Sequence, residues 1–551
     1  MRNLFIFLFV VACSFSGFAH VGSPGVTYEG KAGPYKVLVS IAPPDVIPGT
    51  AQVSVFLEGA TKDVRITAMP VYFMSGKEGT PKSDEAKATD QPGRYDVRLW
   101  FMSAGASSVS VKVDGPAGKG EVLIPVMAVS TAVRTMPPGL GWGLLAMAVF
   151  LVILMVTIIG SSVSDGQLMP GISTDSKRAT RRIIGSAGSL VVLALILWGG
   201  KTWWNGLAAD YRDYLYQPFQ ATTIADVDNH ILTLRIDSML LHKMRTTGRF
   251  VTTRKLNYLV PDHGKLMHLF LVKAGELDAF AHLHPKRVDS VTFESALPEL
   301  PAGKYWLYAD ITRLSVFAET IVDTVEIPGM RMRNAAYSPV SSAPDRDDTW
   351  FVTNGISAAS RNLRNADVAI CGSPGVSVPL ADGSAATWMR KSGERLQAGK
   401  LTDLRFAFTG PEGKPALLDP YLGMMAHAVI LKDDGTVYIH LHPNGNYSMG
   451  SQRAILDRIA FHKPISEYLP RPRVFADSID HFVRKLDEMD DNTRNALLTL
   501  GMDHTASAGG HTAHEVSFPY AFPKAGKYRV WVQVKRNGKI LNSAFDAEVK
   551  D

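Results

Sequence analysis

The chain is poor in cysteine: its 551 residues include only Cys13 and Cys371. Cys13 falls in a segment read below as a targeting signal, so one thiol remains in the mature chain. That excludes an internal disulfide framework and a CxxC zinc knuckle. Charge is also sparse, at 20% of residues, and the net +6 includes four positive charges in one short segment. The surplus is too small for a nucleic-acid-binding surface, so no nucleic-acid partner is expected. With 46% hydrophobic residues the chain is too apolar to be disordered, and its length allows three or four packed domains.

Residues 1–19 open with Arg2, run apolar from Leu4 to Cys13 and end on the small residues Gly17 and Ala19, the pattern of an export signal. Cleavage after Ala19 leaves His20 at the N-terminus; a competing lipobox-like reading, Val10-Val11-Ala12-Cys13, lipidates Cys13 instead. Two later runs, 139–160 and 183–199, are long and apolar enough to cross a bilayer. The intervening loop, 161–182, carries Lys177, Arg178, Arg181 and Arg182, which the positive-inside rule assigns to the cytoplasm. Both flanking regions then lie in the periplasm or outside, on a bacterial inner membrane. Trp198, Trp203 and Trp204 suit the outer interfacial belt.

A Gly-x-Tyr phrase recurs at Gly93-Arg94-Tyr95, Gly303-Lys304-Tyr305 and Gly526-Lys527-Tyr528, each time followed by strand-like alternation. Such a corner feeding a late strand predicts a mainly β chain of three immunoglobulin-like antiparallel β-sandwiches plus a two-helix transmembrane hairpin. The sandwiches are expected at 20–132, 222–330 and 396–550. Residues 331–395, rich in Ser, Ala, Asn, Pro and Asp, read as a loop-rich connector, and 444–513 reads as a helical insertion in the third sandwich.

The chemistry concentrates in a second repeat. HGKLMHLFLVKAGELDAFAHLHP ends at Pro285 and LGMMAHAVILKDDGTVYIHLHP ends at Pro443, each giving one histidine, a twelve- or thirteen-residue gap and then His-Leu-His-Pro. His268 goes with His282 and His284; His427 goes with His440 and His442. On a strand, residues i and i+2 share a face, so two imidazoles converge, and the hairpin turns near Gly275 and Gly435 bring the earlier histidine beside them. Three neutral nitrogens suit copper, with zinc as the alternative. Met267 and Met425, close in sequence to the early histidines, are candidate soft ligands, and His504, His511 and His514 could close over the third-domain site. His20, if N-terminal, offers an amine and an imidazole to one ion. The competing reading is that the histidines are hydrogen-bonded braces of a strand corner. A cupin iron site is disfavoured, because Lys286-Arg287-Val288 and Asn444-Gly445-Asn446 follow where a glutamate is needed.

At these residues the sequence resembles the YtkA-like and CopC-like exported bacterial β-sandwich proteins associated with copper handling. The likeness rests on the His...HLHP hairpin and the Ala-Gly-Lys-Tyr corner. It implies copper binding or transfer through His268, His282, His284, His427, His440 and His442. For His20 the resemblance is to sites built on an N-terminal histidine, from which this chain departs, having no second histidine in its first domain. The expectation is a membrane-anchored periplasmic protein that buffers, senses or delivers the ion, exchanging it with a periplasmic donor or acceptor protein. The alternative is an envelope scaffolding protein with structural histidines. Around the triads no nucleophile or paired acid and base suggests catalysis; a copper oxidase-like activity is the minor enzymatic option.

Overall fold

The computed structural model describes residues 20–21, 25–59, 63–166, 168–169, 171, 175–240, 254–329, 344–356, 371–390, 395–462, 464–499 and 514–551. The chain is mainly β, and its sheets are dominated by antiparallel pairs. It divides into two units: Val129–Tyr216, and Met1–Ala128 together with Gln217–Asp551.

The smaller unit is a helical hairpin of α1 (Pro138–Asp165) and α2 (Arg178–Tyr214), both long and apolar enough to cross a membrane. Their 28 and 37 residues exceed the apolar runs 139–160 and 183–199. Hydropathy marks only the stretch matched to hydrocarbon, whereas the helix continues wherever its own backbone hydrogen bonds can be kept. The expected loop 161–182 therefore shrinks to the residues between Asp165 and Arg178, which form a salt bridge at 2.7 Å. Trp203 and Trp204, which follow the apolar run 183–199, stand within α2.

In the larger unit, three cores are each shared by two sheets. The first lies between the five-stranded sheet holding Tyr35–Ala42 and the four-stranded sheet holding Gly105–Gly115, and is filled by Val39, Val53, Leu99, Val111 and Ile124. Strict alternation of buried positions with half-buried or exposed ones along Tyr35–Ala42 is what one packed face demands. The second core joins the sheet of Ile231–Ile236 to the six-stranded sheet that includes Met267–Lys273, Ala279–Leu283 and Gly303–Arg313. The third joins the sheet of Leu401–Thr409 to the six-stranded sheet that includes His427–Lys432, Val437–Leu441 and Gly526–Arg536, around Trp388, Phe406 and Phe545. Tyr305 and Tyr528 each donate to a carbonyl four residues back, at 2.6 and 2.7 Å.

The two six-stranded sheets are not free on their outer faces. Phe270, Val272, Phe280 and Tyr308 from one pack with Val429, Leu431, Tyr438 and Trp531 from the other in a fourth core. Strands buried on both sides read as unbroken apolar runs, and this explains HLFLV and HAVIL in the sequence. Leu269 and Leu271 enter their own core while Phe270 and Val272 enter the shared one.

The segment 331–395 is not loop throughout. Thr349–Val352 adds a strand beside Ala279–Leu283, and Ser377–Pro379 and Ala385–Met389 belong to the last four-stranded sheet, ahead of the expected boundary at 396. Short strands among turn residues carry too little periodicity to stand out. The insertion forms α3 (Met449–Ala460), α4 (Ile465–Tyr468), α5 (Pro472–Glu488) and α6 (Asp491–Leu498). Ser448 and Asp490 cap α3 and α6 by accepting backbone N–H bonds.

Candidate metal centre

Alternation along the paired hairpins decides where the histidines point. His268 shares a face with Phe270 and Val272, His282 with Phe280, and His440 with Tyr438, so the rings leave their own cores and meet between the six-stranded sheets. His268, His282 and His284 place one ring nitrogen each within 4.8 Å of one another, and His427, His440 and His442 do the same. The two triads are not separate: the ring centroids of His268 and His440 are 5.4 Å apart, and those of His282 and His427 are 6.3 Å apart. Two sites on sister sheets were expected; packing merges them into one histidine cluster, in which no ring is more than 9% exposed.

The hydrogen bonds fix which nitrogens face inward. A carbonyl can only accept, so His268 Nε2 donates to Asp262 O and His427 Nε2 donates to Tyr421 O, both at 3.0 Å. Each of these rings then carries its lone pair on Nδ1. His282 Nδ1 donates to Gln533 Oε1 at 2.9 Å, and Gln533 Nε2 in turn donates to Asn542, which orients the amide. The lone pair of His282 is left on Nε2, 3.1 Å from His268 Nδ1. In the second triad His440 Nε2 stands 3.4 Å from His427 Nδ1, and His440 Nδ1 lies 3.5 Å from Asp310 Oδ2. Asp310 is the cross-strand neighbour of His268, and Gln533 that of His427. Each triad is thus braced by a residue from the other half.

His284 Nδ1 donates to Asp348 Oδ1 at 3.0 Å, leaving Nε2 buried without a hydrogen-bond partner. This carboxylate–imidazole pair is the arrangement that orients metal-ligating histidines. Both ring nitrogens of His442 are likewise buried and unpartnered. Burial, reinforced by neighbouring rings, holds His268, His282, His427 and His442 well below the usual imidazole range, so they are neutral donors.

Sequence reasoning missed His263, whose ring lies 4.3 Å from that of His442, with Nδ1 bonded to Leu422 O at 3.1 Å and Nε2 buried and unpartnered. It stood in the quoted motif, but the second copy has Leu422 there, so the repeat did not select it. Asp345, Asp347 and Asp348 were missed because they lie in the segment read as connector. Beside the cluster, buried Lys265 Nζ bonds Asp345 at 2.6 Å and Asp487 at 2.8 Å and stands 3.2 Å from Asp347. Burial pulls this lysine down, yet the three carboxylates outweigh it and hold it above its ordinary range. Arg494 of α6 also binds Asp347.

Other expected ligands fall elsewhere. Met267 is buried in the second core, because its neighbour His268 takes the opposite face, and Met425 packs against the third core. His514 precedes the strand Glu515–Ala521, with Nε2 3.8 Å from Glu515, outside both triads. His504 and His511 lie outside the described residues. His20 pairs in parallel through its backbone with Val437; its side chain lies outside the described residues.

A domain of unknown function (DUF8832) matches residues 380–468, which include the second triad. No curated protein matches the chain. Among solved structures, a biofilm-associated protein BSP domain aligns at 7% identity and a TM-score of 0.12 over 100% of this chain and 70% of its own. Dimeric latent PorU from Porphyromonas gingivalis aligns at 10% identity and a TM-score of 0.12, over 91% of this chain and 32% of its own. Scores this low carry no fold likeness.

Proposed function

We propose that this is a membrane-anchored envelope protein whose two histidine triads bind copper, with zinc as the alternative, and that it buffers, senses or delivers the ion. Its paired sheets are immunoglobulin-like sandwiches akin to those of the YtkA-like and CopC-like proteins, held on the periplasmic side by α1 and α2. The observation that carries the reading is the meeting of His268 Nδ1 and His282 Nε2 at 3.1 Å, with the other nitrogen of each ring committed to a carbonyl or amide acceptor. Two buried lone pairs facing each other repel unless a proton or a cation lies between them, and burial disfavours the proton. Nitrogens bound tetrahedrally at about 2.0–2.1 Å stand roughly 3.3 Å apart, close to this spacing. Imidazole nitrogens suit copper or zinc, and His284 is oriented by Asp348 as ligating histidines are.

The burial of the rings in the contact between two sheets also favours a second reading, in which the histidines brace that contact and the protein is an envelope scaffold. Replacing His282 and His284 by Ala in the full-length, detergent-solubilised protein separates the two. Under the metal reading tight copper binding at the first triad is lost while the circular-dichroism spectrum persists. Wild-type protein that retains no copper through a desalting column leaves the scaffold reading.

A further inference from the structure

We propose that the two triads form one binuclear centre, whose two ions lie close enough to repel directly, and that full loading is therefore restricted to monovalent soft cations such as Cu(I). The inference rests on the metal reading above. Two complete donor sets are present: each triad brings three imidazoles to one point, and each contains inward-facing nitrogens with no hydrogen-bond partner, His284 Nε2 in one and His442 in the other. The sets touch ring to ring, with centroids 5.4 Å apart for His268 and His440 and 5.8 Å for His282 and His440.

Charge then decides what can fill both. An imidazole that ligates through its lone pair is uncharged, so no donor of either triad cancels the charge of an ion. The carboxylates flank the triads rather than belong to either: Asp348, bonded to His284 Nδ1, forms a further group with His284 and Asp345 within 4.8 Å, Asp310 lies 3.5 Å from His440 Nδ1, and Asp262 lies 3.8 Å from His263 Nε2. Asp345 and Asp347 are engaged by Lys265 and Arg494. Repulsion scales with the product of the charges, so two divalent ions at a given separation repel about four times as strongly as two monovalent ones, with little water to screen them. Soft monovalent d10 ions also accept the two- or three-nitrogen coordination these sites offer.

The test is the metal content of full-length protein in detergent, loaded anaerobically with Ag(I) as the probe for Cu(I), or separately with Zn(II). Each sample is washed with a weak chelator and analysed by mass spectrometry against protein concentration. The expected result is two Ag(I) per chain and at most one Zn(II). In the His282→Ala/His284→Ala variant Ag(I) falls to one while Zn(II) does not rise. One Ag(I) per wild-type chain, or two Zn(II) held with equal affinity, overturns the binuclear inference and leaves the metal reading standing. Retention of neither metal removes the metal reading itself. The wild-type counts decide the matter even if the variant fails to fold.

Discussion

At the scale of single residues, the histidine cluster is defined by which nitrogen of each ring carries its proton. Gln533 and Asp310 hold His282 and His440 from the opposite half, so they are positioning residues whose loss frees the ring without removing a ligand. On the proposed metal reading, in a His440→Ala/His442→Ala background that keeps only the first triad, Gln533→Ala should weaken Cu(I) binding by about 10–100-fold. A competition titration against a chromogenic chelator reads this, and an unchanged affinity would remove Gln533 from its assigned role. Glu29 is a separate case. Burial first, then Asp403 and Glu58, push its carboxyl up to about 7. The folded chain therefore holds a proton that the unfolded chain releases near its ordinary value of 4.5. Its stabilising contribution is complete below about pH 4.5 and is lost as pH rises through about 7. Glu29→Gln should raise the stability of the fold at pH 8 by on the order of 1–3 kcal/mol and leave it nearly unchanged at pH 4. Thermal unfolding at the two pH values checks the sign.

Among the secondary-structure elements, the hairpins were legible because a two-residue side-chain period is rigid: extended backbone running through His-Leu-His turns both rings to one face, even though the strands end at Leu283 and Leu441, one residue before the second histidine. The turns also match the sequence, with Gly275 and Gly435 at φ of 84° and 72°, a region glycine enters without strain. The short strands at 349–352 and 377–379 were not legible, since three or four residues give no pattern to count. The α5–α6 pair closes over the segments that lead into the two hairpins: a Cβ added at Gly264 would meet Leu498 at 2.9 Å and one at Gly423 would meet it at 3.1 Å. Lys265 ties three elements together, joining its own turn to the Asp345–Asp347 segment and to Asp487 of α5. Lys265→Met leaves buried carboxylates without their cation, and should destabilise the metal-free protein by about 3–5 kcal/mol in a urea unfolding series. A change below about 1 kcal/mol would mean that these carboxylates are solvated rather than buried.

For the whole molecule, the proposed membrane topology makes a prediction. In a Cys371→Ser background, Ser176→Cys between α1 and α2 should resist a membrane-impermeant thiol reagent in intact cells and react after lysis. Labelling in intact cells would reverse the orientation drawn from Lys177, Arg178, Arg181 and Arg182. The sequence by itself determined the local facts: apolar runs long enough to span, alternation that makes strands, and histidine spacing that gathers three rings on each hairpin. These follow from backbone period and solvent preference, which act over a few residues. Only the tertiary structure decided that the two hairpins face each other, that His263 and Asp348 join them, and that Gln533 and Asp310 brace the opposite half. Those contacts link residues up to 251 positions apart. They arise because each six-stranded sheet has a second apolar face to bury, and a continuous apolar run announces that face without saying which surface covers it.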